Sequence, residues 1–322
     1  MRFLMKFILP PLEKRIYALR ALKMIAMASG QIHENQNKML QIAIGVMKIP
    51  TTLEELEPID PTTLATHIEG AELRLALVQR LVIMTILDGE VVSAEIDLLE
   101  QFAAALQVED KIVRNMRQLV DGHYKRMVFD IARRSFARKQ MGHVWNEEGL
   151  KGILKIAKTA MGITDSEQTQ RFKALSKLGE HTLGYHLYQE FEKNGFPFPG
   201  EKGGVPENML FHDVSHVISG YGNDPQGELL VSGFQAGYMG EDGMIMIMMI
   251  SFLFQLGIEP IAKLRGVSPT KNMLDIETYR KAFLRGKSLN TNLMYWDPWP
   301  HMERSLEDIR AELGLVESCE HL

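Results

Sequence analysis

Residues 71–87 read Ala71-Glu-Leu-Arg-Leu-Ala-Leu-Val-Gln-Arg-Leu-Val-Ile-Met-Thr-Ile-Leu87, and the run stops at Asp88-Gly89. Its length and apolar density are those of a helix, and Asp-Gly is a turn pair. Beyond the turn, Ser93 is placed to cap a second helix carrying Ile96, Leu99, Phe102, Ala103 and Leu106. Those positions form one apolar stripe, so the two helices are expected to bury against each other as an antiparallel pair. β-branched alternation is scarce in the rest of the chain, and the expected fold class is all-α.

Working outward, residues 12–28 and 36–47 read as helices. Pro50, Pro58 and Pro61 then fall close together, a linker signature that sets a boundary near residue 65. Further helices are expected at 109–119, 124–139 and 147–160, and Thr164 with Glu167 forms a capping-box pattern that opens another. A chain of 322 residues exceeds a typical single domain. The partition is a helical segment and linker over 1–65, a helical domain over 66–165, and a second helical domain over 166–322.

With 45% hydrophobic and 24% charged residues, the composition argues against disorder and against a polytopic membrane protein. A net charge of −5 without a long basic run gives no electrostatic reason to expect nucleic acid as a partner. Cys319 is the single cysteine, which excludes an internal disulfide and thiolate metal clusters and suits a reducing, cytoplasmic setting. The opening residues are signal-like, but Lys6 and Pro10-Pro11 interrupt them, so they are read as uncleaved. Phe3, Leu4, Phe7 and Ile8 beside Arg2 and Lys6 suit a segment lying on a membrane surface. Met244 to Ile258 is apolar but broken by Ser251 and Gln255. It is shorter than the ~20 residues a bilayer needs, and a buried helix is expected.

The chemistry concentrates at Phe211-His212-Asp213-Val214-Ser215-His216, followed by a helix stop at Gly220-Tyr221-Gly222. His212 and His216 are four apart on one helix face, and Asp213 lies beside them. Asp224 then suits an N-cap and Pro225 the first helical position, so Glu228 falls in the first turn of a second helix that folds back on the first. Two imidazoles and two carboxylates converge as a divalent-metal set, zinc first, with iron, manganese, cobalt and nickel also admissible. Beyond Glu228, Gly233 and Gly237 share a face with Ser232 beside them, which suits either close helix packing or a slender apolar chain. The Met-rich stretch 244–250 suits an irregular apolar ligand or a plain core. Gln235, at i+7 from Glu228, is a candidate for contacting the ligands or a substrate head group. The aromatic turn Tyr295-Trp296-Asp297-Pro298-Trp299 reads as a structural cap or an interface anchor.

His-Asp-x-x-His, eleven residues, then Glu resembles the coenzyme Q (ubiquinone) biosynthesis protein four family. The resemblance extends to Thr182-Leu183-Gly184, Gly227-Glu228 with Phe234, and a tail with Tyr295, Glu303, Leu306, Arg310 and Glu-Leu-Gly-Leu, covering less than half of the chain. It implies that His212, Asp213, His216 and Glu228 bind zinc or a similar divalent metal and form the catalytic set. The implied activity is decarboxylation and hydroxylation at ring carbon 1 of a polyprenylated 4-hydroxybenzoate-type precursor. The implied partners are that prenylated aromatic or isoprenoid lipid, quinone-biosynthesis enzymes, the inner membrane contacted peripherally, and a second copy of the chain in a homo-oligomer. Two departures stand out: Asn208-Met209-Leu210-Phe211 replaces an arginine-bearing approach to the motif, and Gln235 stands where an acidic residue is expected. A non-catalytic lipid-binding scaffold is the competing function.

Leu87-Asp88-Gly89-Glu90 with Ser93-Ala94-Glu95 and Leu98-Leu99 resembles the tellurite-resistance protein B-like (TerB-like) helical domain. That resemblance implies a metal-associated acidic site at Asp88 and Glu95 and a stress-response module as a third reading. The plainer alternative is a turn followed by a first-turn carboxylate.

Overall fold

The computed structural model describes residues 8–132, 136–259 and 270–315. Phe3, Leu4 and Phe7 of the expected surface segment, and Cys319, lie outside the described residues. Within them the regular backbone is helical, without a strand and with two isolated bridges, Thr182 with Ser305 and Leu256 with Lys271. The chain is all-α.

Contacts group it into two compact units, Met1–Ala132 with Ile247–Glu277 and Arg133–Met246 with Thr278–Leu322. This grouping differs from the partition at 65 and 165. The first unit holds α1 (Arg15–Met27), α2 (Glu34–Met47), α3 (Pro61–His67), α4 (Ala71–Met84), α5 (Ser93–Ala105), α6 (Lys111–Val120) and α7 (Tyr124–Ala132). Ile96, Leu99, Phe102 and Leu106 are completely buried. Ser93 does not cap α5: it is the first helical residue, and the Val92 carbonyl already accepts from Ile96 N. The proline-containing stretch is no free linker, because Lys23 Nζ donates to the carbonyls of Leu53 and Leu56 and Arg20 Nε to that of Glu57. Leu53, Leu56 and Ile59 are buried, so residue 65 lies inside the unit.

A distant segment closes this unit. The fully buried Gln255 donates from Nε2 to Leu87 O (2.8 Å) and accepts at Oε1 from Leu274 N (3.1 Å). Asn35 Nδ2 donates to the same Leu87 carbonyl and to the carbonyl of Leu274. Residues around 255 and 274 are thereby tied to the α4–α5 turn, and buried amides find partners on both sides.

The second unit contains α8 (Phe136–Ala160), α9 (Ser166–Lys173), α10 (Leu183–Asn194), α11 (Phe211–Ser219) and α12 (Pro225–Tyr238). α13 (Gly243–Ile250) and α14 (Ile276–Ser288) carry the chain across the unit boundaries, and α15 (Leu306–Glu312) follows. α8 is helical through residues 140–148 and breaks at Gly149, where φ is +60°, rather than between 139 and 147. α9 is capped by Asp165, not Thr164; its carboxylate accepts from Gln168 N and faces the positive helix end. The helix expected over Met244–Ile258 ends at Ile250 and widens into a π-helical turn over Ser251–Gln255.

Glu95 is a buried carboxyl in the first unit. It is completely buried in the first turn of α5, accepts from Gln36 Nε2 at 3.2 Å, and leaves Oε2 without a partner. Burial, reinforced by Asp88, pushes its carboxyl from an ordinary value near 4.5 up to about 8. The folded state therefore holds a proton that the unfolded chain releases, and stability falls as pH rises from about 4.5 to about 8. Glu95→Gln should flatten that slope and stabilise the protein at pH 8 by on the order of 2 kcal/mol, measured by urea unfolding across the window; a slope unchanged by the substitution would refute the assignment.

Candidate metal centre

α11 begins after a short turn at Glu207–Met209 and ends at Gly220, whose φ of +77° reverses the chain. The last carbonyls of a helix lack partners within it. Here Arg310 of α15 donates from Nε to Ile218 O (2.8 Å) and from Nη2 to Val217 O (3.0 Å), and Arg285 of α14 donates to Ser219 O (3.1 Å). Two positive charges thus sit at the negative end of the helix dipole. At the other end Ser215 Oγ donates to Phe211 O (2.6 Å), so Tyr238 OH must donate to Ser215 Oγ (2.9 Å), joining α12 to α11.

The return to α12 is short. Asp224 caps it, accepting from Gln226 N and Gly227 N at 2.9 and 3.0 Å, with Pro225 as the first helical residue. Gly227 lies against the backbone of Gly222, where a Cβ would come within 2.0 Å of the Gly222 carbonyl oxygen. That approach brings Glu228 against α11.

His212 Nε2 faces Glu228 Oε2 and His216 Nε2 faces Glu228 Oε1, each at 3.5 Å. One ligand atom from each of the three residues can be chosen so that all lie within 4.8 Å of one another. The two rings meet edge to face at 4.9 Å between centroids. His216 Nδ1 donates to Tyr221 O at 3.0 Å, which leaves Nε2 as a lone pair in the neutral ring; that nitrogen is buried and has no hydrogen-bond partner. Gln235 Nε2 donates to His212 Nδ1 at 3.0 Å, so the neutral ring carries its proton on Nε2 toward Glu228, and the amide has to turn its oxygen to Nδ1 for His212 to ligate through Nε2. Burial opposes charge on His216, but Glu228 and the Tyr221 carbonyl raise its pKa. Burial likewise disfavours the Glu228 carboxylate, yet His212 and His216 outweigh it and bring its pKa down to about 2. His216 is 1% exposed, whereas His212 and Glu228 are 38% and 28% exposed, so the group opens to solvent on one side only.

These residues suit a divalent metal. An orphaned buried imidazole nitrogen is costly unless something binds it, and nitrogen and oxygen donors converge on it. Asp213 is placed differently from the other three expected ligands. Its carboxyl is buried, burial pushes its pKa up to about 6, and it is not part of the convergent group. It lies close enough to feel both imidazoles and Glu190 of α10. Comparison with family models, curated proteins and solved structures gives no match. The reading of the centre therefore stands on its own geometry.

The remaining expected residues fall as follows. Ser232 is buried and donates to Leu229 O within α12. The Gly233 and Gly237 face is filled by α14: a Cβ on Gly233 would press on the Tyr279 ring at 3.1 Å, and one on Gly237 would lie 2.2 Å from Phe283 O. Close helix packing, not a slender ligand, occupies that face. Asp88 forms a turn by accepting from Glu90 N, and neither it nor Glu95 joins a three-ligand group among the described residues. In the aromatic turn Trp299 donates to Glu207 (2.7 Å) under the guanidinium of Arg171, and Trp296 stacks on His301. His181 and His186 line a cleft of about 580 Å³ that reaches His216. Tyr221, Glu190 and Arg285 carry no motif signal, since one acts through its carbonyl and the others come from remote helices.

Elemental analysis of purified protein should find one divalent metal per chain. Glu228→Gln or His216→Ala should abolish it, and Gln235→Ala should weaken binding by about 10–100-fold through the His212 ring. Gly227→Ala should destabilise the fold by about 1–3 kcal/mol in denaturant unfolding; a variant as stable as the parent would show that the Gly222 contact is not constraining.

Proposed function

We propose that the chain is a metal-dependent protein of ubiquinone-type synthesis, acting on a polyprenylated aromatic acid at His212, His216 and Glu228. The observation that carries the metal is the buried Nε2 of His216, without a hydrogen-bond partner and 3.5 Å from Glu228 Oε1. The substrate class rests on the His-Asp-x-x-His…Glu resemblance.

Three convergent protein groups with one solvent-facing side leave a coordination position free, the arrangement that separates catalytic from closed structural sites. A divalent metal there would supply Lewis acidity toward the phenolate or carboxylate of the ring. The chain's own residues do the positioning. Tyr221 fixes the His216 tautomer, Gln235 holds the His212 ring, and Glu228 stays anionic at neutral pH. The exposed edge of His212 and Glu228 is where a ring enters. In the reaction the carboxyl at ring carbon 1 leaves as carbon dioxide and water supplies the hydroxyl that takes its place, while dioxygen, the external two-electron oxidant, is reduced to hydrogen peroxide. Asp213, buried next to the histidines, adds a carboxyl whose charge both imidazoles feel.

The test combines mass spectrometry of lipids extracted from purified protein with turnover of a prenylated 4-hydroxybenzoate under dioxygen. Expected are a co-purifying prenylated ring and carbon dioxide release that Glu228→Gln abolishes while lipid binding persists. Asp213→Asn should retain metal. Lipid binding without turnover in the metal-loaded protein would instead support the scaffold reading.

A further inference from the structure

The second half of α8 carries an apolar face that none of the described residues covers. After the break at Gly149, Leu150, Leu154 and Met161 are each more than half exposed, and so is Ile163 just beyond. Met161 N still bonds to Ala157 O at 3.0 Å, so the helical path continues to it. At about 100° per residue, Leu150, Leu154, Ala157 and Met161 fall within an arc of roughly 60°. Exposed Lys151 and Lys158 flank this stripe on one side. Gly152 is buried on the opposite side, and Lys155 turns inward to Glu207 at 2.6 Å. No acidic residue occurs from Gly149 to Thr164, in a chain of net charge −5.

We infer that this face docks on an anionic lipid surface, with the apolar stripe in the acyl boundary and Lys151 and Lys158 at the headgroups. A helix with an apolar stripe, lysines beside it and no acidic residue has the composition of a segment lying in a bilayer interface. None of the described helices is long and apolar enough to cross a membrane. A second copy of the chain is a poorer occupant. This stretch offers Lys151 and Lys158 but no carboxylate from Gly149 to Thr164 with which the same stretch of a second copy could pair them. The inference is independent of the metal centre and uses neither the opening residues nor the aromatic turn at 295–299. Trp145, exposed one turn before the break, provides an optical reporter.

Full-length protein is floated with vesicles of phosphatidylcholine alone and of phosphatidylcholine mixed with phosphatidylglycerol. The expected result is binding to the anionic vesicles only, weakened by salt, with a blue shift of emission that Trp145→Phe removes. Leu150→Ser with Leu154→Ser should lower partitioning by about tenfold or more. Lys151→Glu with Lys158→Glu should lower it by at least about 5-fold per lysine. Both pairs are exposed, and unchanged circular dichroism and melting confirm that each variant is folded. The inference is overturned if the parent protein stays with the soluble fraction on anionic vesicles, or if both double variants bind as the parent does. A parent dimer that Leu150→Ser with Leu154→Ser converts to monomer, without vesicle binding, also overturns it and assigns the face to self-association.

Discussion

The hydrogen bond from His216 Nδ1 to the carbonyl of Tyr221 is the constraint on which the centre depends. It selects the tautomer that leaves Nε2 as a lone pair, and it requires the chain to turn back within five residues of the histidine. That return is feasible because the other carbonyls at the end of α11 are taken, those of Val217 and Ile218 by Arg310 and that of Ser219 by Arg285. The Tyr221 carbonyl is left for the imidazole. Removing either arginine would put unpaired carbonyls beside a partly buried ring, at a cost of order 1–3 kcal/mol for each group left unsatisfied.

α12 sits under two close approaches at once. At its start Gly227 lies against the backbone of Gly222, and further along, its backbone meets α14, where a Cβ on Gly286 would come within 1.8 Å of Phe234 O. Glu228 and Gln235 project from a rod fixed at both ends, so both keep their aim toward α11. The small residues that could have made room for a ligand instead let α14 close in, and any other occupant of that face would have to displace a helix.

What the sequence made legible followed local rules. The helical spacing of His212 and His216, the Asp224-Pro225 start and the first-turn position of Glu228 depend on a few neighbouring residues, and each has its structural counterpart. The stripe of α5 is legible for the same reason. The placement of Asp213 outside the convergent group was not, because a sequence position beside two histidines does not fix where a buried carboxyl points. The composition of the two units was also hidden. Gln255 bonds to Leu87 across 168 residues, and no window of sequence reports such a pair. Caps failed where two candidates competed, as when Asp165 displaced Thr164.

Gln235 stands where a carboxylate was expected, and the difference reaches the electronics of His212. A carboxylate accepts only, so it would hold a proton on Nδ1 and push electron density through the ring toward Nε2. An amide presents a donor or an acceptor according to which way it is turned. With its nitrogen toward Nδ1, the neutral ring carries its proton on Nε2; turned over, its oxygen accepts from Nδ1 and Nε2 is bared. Half a rotation of one side chain therefore exchanges the tautomer of His212 without moving the imidazole.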